Sequence, residues 1–67
     1  GKLMNFKLEP LAISTEECAK LLGISRPKVY DLIHQDGFPS FKLGTRTLIS
    51  VEGLKVWVKN KTEGETK

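Results

Sequence analysis

Long apolar runs, paired cysteines and histidine clusters are all missing from this 67-residue chain, and each absence removes a class of protein. No stretch of consecutive apolar residues exceeds three, as at residues 11–13, so the sequence offers neither a bilayer-spanning helix nor a signal-peptide core and reads as cytosolic. A lone cysteine, Cys18, rules out an internal disulfide, and together with the only histidine, His34, it falls short of the four ligands of a structural zinc site. No metal, cofactor or small-molecule ligand is expected. Catalytic patterns are equally scarce. There is no paired-carboxylate setting and no phosphate-cradling glycine loop, so the chain is not expected to be an enzyme. With no staple available, a core this small barely offsets the conformational entropy of folding, and the fold must be specified by strong local signals.

Those signals are present. Apolar residues make up 39% of the chain and charged residues 28%, ordinary proportions for a folded domain. The net charge of +3, from 11 basic and 8 acidic residues, is unevenly placed. Residues 1–22 balance at zero, whereas residues 23–47 carry Arg26, Lys28, Lys42 and Arg46 against Asp31 and Asp36. Residues 55–67 carry four lysines against Glu63 and Glu65.

Residues 1–10 are expected to form an extended lead-in, partly tag-derived because Gly1 stands where an initiator methionine would; Pro10 keeps it extended and able to add a short strand. Residues 60–67 hold no apolar side chain and are expected to be a flexible, solvated tail. The domain lies between, over residues 11–59. Three helix starts there share one device: Ile13-Ser14, Ile24-Ser25 and Ile49-Ser50 each set a serine where it can cap free amides. Five residues after each isoleucine stands an apolar partner, Cys18, Val29 or Leu54, at the spacing of a hydrophobic staple.

The first helix, residues 15–22, opens with the capping box Ser14 to Glu17, buries Cys18, Leu21 and Leu22, and stops at Gly23. A second runs over residues 26–35 with Val29, Leu32 and Ile33 as its apolar stripe, ended by Gly37 and Pro39. The third starts at Val51 and buries Leu54, Trp57 and Val58, with Gly53 weakening its first turn by up to about 1 kcal/mol. Between the second and third helices, Phe41, Lys42 and Leu43 alternate, Gly44, Thr45 and Arg46 turn, and Thr47, Leu48 and Ile49 return as a hairpin. Only Gly23, Ile24 and Ser25 separate the first two helices, the spacing of a helix-turn-helix.

With that corner followed by a hairpin and a third helix, the sequence resembles the small winged helix-turn-helix domains of the excisionase family, related to the DNA-binding heads of MerR regulators and to AlpA-like activators. The resemblance covers residues 11–58 and is carried by Gly23-Ile24-Ser25-Arg26, Val29-Tyr30, Leu32-Ile33, Gly37-Phe38-Pro39, Phe41-Lys42-Leu43-Gly44, Arg46 and Trp57. It implies a mainly α fold of three short helices with a small β-hairpin wing between helices two and three. It also implies a protein that binds and bends double-stranded DNA at the ends of a mobile element and assists an integrase, with that integrase or further copies of itself as partners. An AlpA-like transcription regulator shares the same residues, and a protein-interaction module that has lost DNA binding is a further alternative.

The residues argue for DNA independently. A helix N-terminus carries partial positive charge and favours acids in its first turn. Helix one opens with Glu16 and Glu17 and helix three with Glu52, but helix two opens with Arg26 and Lys28, which together with its amides makes an anion site. Opposite the apolar stripe of helix two stand Pro27, Lys28, Asp31, His34 and Gln35, flanked by Arg26 and Tyr30. Arg26 or Lys28 suits guanine O6 and N7; Tyr30 and Ser25 suit phosphate. Asp31 departs from the basic residue common in relatives, and suits either cytosine N4 or a pair with Lys28. In the wing, Lys42, Gly44, Thr45, Arg46 and Thr47 form a tip suited to phosphates or a narrow minor groove. Cys18 and Trp57 are read as core, Tyr30 as half-buried and His34 as a surface residue.

Overall fold

The structure is a computed structural model that describes residues 9–64; most of the expected lead-in and the last three residues of the expected tail lie outside the described residues. In chain order the elements are β1 (Ala12–Ser14), α1 (Thr15–Leu22), α2 (Arg26–Ile33), β2 (Ser40–Leu43), β3 (Arg46–Ser50) and α3 (Val51–Gly64). This is the expected winged helix-turn-helix, three helices with a hairpin between the second and third. It gains a strand: β1 pairs with β3 to make an antiparallel sheet of order β1-β3-β2. The register sets Ile13 against Ile49 and Ser40 on the other side of Ile49, which makes β3 the central strand and puts Ile49 in the core.

The capping box at α1 forms as read. The Glu17 amide donates to Ser14 Oγ at 3.1 Å, and the Ser14 amide donates to Glu17 Oε1 at 3.2 Å. At the other end Gly23 adopts φ +74°, and the amides of Gly23 and Ile24 both donate to the Ala19 carbonyl, at 2.8 and 3.0 Å. Ser50 caps α3 through its Oγ, which accepts the Gly53 amide at 3.0 Å. Ser25 is the exception: it occupies the N-cap position of α2 in extended backbone but makes no side-chain cap bond.

Ile13, Cys18, Ala19, Val29, Phe38, Ile49 and Leu54 form the core, with Leu22, Ile24, Leu32, Ile33, Val51 and Trp57 packed around it. The staple partners Cys18, Val29 and Leu54 are therefore all buried. Two expected core residues are not. Leu21 is 67% exposed because it stands on the flank of α1 away from Cys18 and Ala19, and Val58 is 38% exposed because, although it follows Leu54 along the same side of α3, it borders an open cleft between α3 and α2. Gly53, a helix-weakening residue by its sequence, has a packing reason: a Cβ there would stand 2.6 Å from Pro39 Cβ and 3.2 Å from Ser50 Oγ. α3 crosses that close to the root of the hairpin, where Phe38 meets the Trp57 ring edge-on at a centroid distance of 5.1 Å.

Three boundaries differ from the sequence reading. α2 ends at Ile33 rather than residue 35, closed by the His34 and Gln35 amides donating to Asp31 and Leu32 carbonyls at 3.3 and 2.9 Å. The hairpin turn is two residues long, since Arg46 pairs with Leu43; Gly44 alone takes positive φ, +67°, the conformation that glycine supplies at the first position of a type II′ turn. α3 extends to Gly64, so residues 60–64 are exposed helix rather than tail; Lys, Asn, Thr and Glu tolerate helix, and Lys61 lies over the Trp57 ring at 5.5 Å.

Candidate nucleic-acid interface

α2 is seated by Val29, fully buried, and by the tight corner to α1, which leaves the opposite side of the helix in solvent: Ser25, Arg26, Pro27, Lys28, Tyr30, Asp31, His34 and Gln35 are all exposed. At about 100° per residue the exposed set divides. Pro27, Asp31 and His34 lie near the centre of the face, Lys28 and Gln35 on one flank, Arg26 and Tyr30 on the other.

The first turn of α2 carries no acid, as read, but it holds fewer open amides than the serine pattern implied. Pro27 has no N–H, and the Lys28 and Val29 amides donate to the Ser25 carbonyl at 3.1 and 3.3 Å. Among the described residues the Arg26 amide and the Ser25 hydroxyl are the groups of this turn left open. What this turn offers an anion is therefore that amide, that hydroxyl, the helix dipole and two cationic side chains.

The Arg26–Tyr30 flank is tied to α1. The Tyr30 hydroxyl shares a hydrogen bond of 3.3 Å with Thr15 Oγ1 at the start of α1. The Thr15 hydroxyl, and the Arg26 guanidinium beside it, hold the Tyr30 phenol below its usual pKa. Thr15 follows Ser14, whose partner in the sheet is Leu48 of β3, so the Arg26–Tyr30 flank faces the wing side of the molecule. Sequence reasoning missed Thr15, whose signal, a hydroxyl at the first helical position, is common to many helices. Tyr30, read as half-buried, is exposed at 42%, because the corner to α1 covers only its hydroxyl side. His34 is less free than expected: its Nδ1 meets the Tyr30 carbonyl at 2.8 Å at the C-terminal end of α2, leaving Nε2 for a ligand. Asp31 and Lys28 do not pair; Lys55 and Glu9 form an ion pair at 4.0 Å that is solvent-exposed.

In the wing, Lys42, Gly44, Thr45 and Arg46 are exposed and Thr47 is partly buried. Lys42 pairs with Thr47 and shares the face of Ile49, whereas Arg46 pairs with Leu43 and shares the opposite face with Phe41 and Leu48. The two cations expected around Gly44 thus project from opposite sides of the ribbon. Cys18 is buried, and burial pushes its thiol pKa up, away from reactivity.

A corner of two helices, a solvent-facing second helix and a two-stranded wing define a winged helix-turn-helix DNA-binding module. The chain belongs to the helix-turn-helix domain family, whose model matches residues 12–62. Membership supports DNA binding, and domains of this family are typically non-enzymatic. No curated protein and no solved structure matches the chain. No helix among the described residues is long and apolar enough to cross a membrane.

Proposed function

We propose that this domain binds double-stranded DNA in a sequence-dependent way, laying α2 in the major groove and the wing along the adjacent minor groove, and that it serves as an excisionase. The observation that carries the DNA reading is the exposed first turn of α2, uncapped by Ser25 and free of acids, with Arg26 and Lys28 on its two flanks. Pro27, Asp31 and His34 face the base edges, Asp31 accepting from cytosine N4, while Arg26 reaches guanine from the wing side and Ser25 and Tyr30 take phosphates. Lys42 and Arg46, on opposite faces of the ribbon, address the two strands that border a minor groove about 6 Å wide, with Gly44, Thr45 and Thr47 allowing close approach.

A single module of this kind buries only about 600–1,000 Å² on DNA, so occupancy of a site depends on a neighbour: another copy on adjacent DNA, or an integrase. Family resemblance supports the excision role. Anisotropy titrations of duplexes taken from around its own gene, repeated across salt concentrations, test the DNA reading. Binding whose logarithm falls with log salt at a slope of about −0.9 per phosphate contact is expected, and a salt-independent association with protein alone refutes it. Footprints at the ends of a mobile element, with bending in circular-permutation gels, support excision; footprints confined to a promoter identify an AlpA-like regulator instead.

A further inference from the structure

The last turns of α3, which the sequence presents as a tail, stand beside the recognition helix. Val58, Lys61 and Thr62 form one side of a cleft of about 550 Å³ whose other side includes Lys28 and Gln35 of α2, with Trp57 against its floor. Lys61 Nζ lies over the Trp57 ring, 5.5 Å from its centroid, and both residues line this cleft, so the ammonium is held at the cleft. The cleft lies on the Lys28 flank of α2, roughly 160° around the helix from the Arg26–Tyr30 flank that faces the wing. A helix about 10–12 Å across fills a major groove about 12 Å wide, so an element standing beside that helix comes over the sugar-phosphate rim.

We propose that Lys61 of α3 and Lys28 of α2 grip the phosphodiester backbone along the rim of the major groove remote from the wing, with deoxyribose carbons settling on the Trp57 and Val58 surface. The chemistry matches a backbone: cations at the edges of the cleft suit phosphates, and an apolar floor suits the sugars between them. Asp31 also borders the cleft, but it stands nearer the centre of the exposed face of α2, toward the bases rather than the rim. The footprint then has three parts in a row: wing, α2 and the end of α3. This inference rests on α2 being the groove-facing helix.

The test compares Lys61→Gln with Lys59→Gln, a neighbour that does not line the cleft, and with Lys61→Arg, which keeps the charge. Binding is measured by anisotropy across a salt series, with circular dichroism melts to establish folding. Lys61→Gln is expected to weaken all duplexes alike and to make the salt slope shallower by about 0.9, with Lys59→Gln and Lys61→Arg close to the parent. Trp57 is the only tryptophan, so its quenching by acrylamide gives a second readout, and saturating duplex is expected to shield it. A Lys61→Gln slope equal to the parent's, with Trp57 no better shielded on DNA while Arg26→Ala still weakens binding, overturns the α3 contact and leaves the α2 reading standing. Failure of both Arg26→Ala and Lys61→Gln to alter binding removes both.

Discussion

Replacing Gly53 by alanine sets two effects against each other. Helix propensity alone favours alanine by about 0.8–1 kcal/mol at this position in the first turn of α3. The structure opposes it. The new Cβ would stand 2.6 Å from Pro39 Cβ, 3.2 Å from Ser50 Oγ and 3.4 Å from Pro39 Cγ. Neither neighbour yields easily, because the proline ring is rigid, its carbonyl accepts the Ser50 amide at 2.9 Å, and the Ser50 hydroxyl is the α3 cap. Overpacking of this kind costs about 1–3 kcal/mol, so Gly53→Ala is expected to be destabilising by up to about 2 kcal/mol net. For a domain of this length each kcal/mol lowers the melting temperature by about 4–8 °C, well within reach of a circular dichroism melt. Pro39→Gly removes the clashing atoms, and in that background Gly53→Ala is expected to become neutral or stabilising, a coupling that a double-mutant cycle isolates. Because Pro39 leads directly into β2, the displacement also reaches the wing, and DNA affinity falls by more than the unfolded fraction accounts for. A Gly53→Ala protein more stable than its parent refutes the packing argument.

Arg26→Ala is expected to cost about 1–3 kcal/mol on the preferred duplex and to relax specificity at one base pair, whereas Lys42→Ala weakens all sequences alike; equal, small losses from the two in a panel of point-mutated duplexes count against base reading by α2. If Asp31 accepts from cytosine as proposed, Asp31→Asn removes that selectivity along with a charge that repels phosphates, so non-specific affinity should rise while discrimination at a single position drops by about 1–3 kcal/mol; an unchanged discrimination profile refutes the cytosine contact. Cys18, fully buried, should react with a thiol reagent only through unfolding, at a rate that climbs with denaturant alongside the global transition; labelling of the native protein at the rate of an unfolded peptide refutes its place in the core. Since burial raises the Cys18 pKa, the folded state favours the neutral thiol; the resulting stabilisation is present below the unfolded thiol pKa and lost as pH rises through the folded one, so alkaline melts should fall more steeply for the parent than for Cys18→Ala.

What the sequence made legible was whatever is encoded over a few residues. The α1 boundaries, the Ser14–Glu17 box and the left-handed Gly23 follow from short patterns, and all three are present. The buried partners of the three isoleucines were readable for the same reason. β1 was harder: three residues are too few to show alternation, and their partner β3 comes after both α1 and α2, a non-local pairing that no window along the chain displays. The exposure of Leu21 and Val58 was hidden because helical spacing identifies a stripe and not its width, and the open cleft beside α3 leaves Val58 at its edge. Residues 60–64 looked like a tail because they lack apolar side chains, although a lysine ammonium over the Trp57 ring needs none. In the candidate site the residue types were legible but their division was not. Lys42 and Arg46 fall on opposite faces only because the turn is two residues long, and a three-residue turn would have changed the register.

The same comparison explains why α2 can be the helix given to a ligand. α1 and α3 stabilise their own ends, with serine caps and acids in the first turn, and would fold with little outside help at those positions. α2 has neither device, and its last turn carries no base to balance the dipole. It is held instead by tertiary contacts: Val29 in the core, the three-residue corner from α1, and the Tyr30–Thr15 hydroxyl pair. Acids at Arg26 and Lys28 together with a bonded Ser25 would add up to about 1 kcal/mol each, yet they would fill or repel from the one place where a phosphate meets an amide, a hydroxyl and the positive end of the helix. Local stability and anion binding compete for the same turn. In α2 the turn is left open, as the proposed DNA contact requires, and the packing beneath the helix supplies the stability that its own ends forgo.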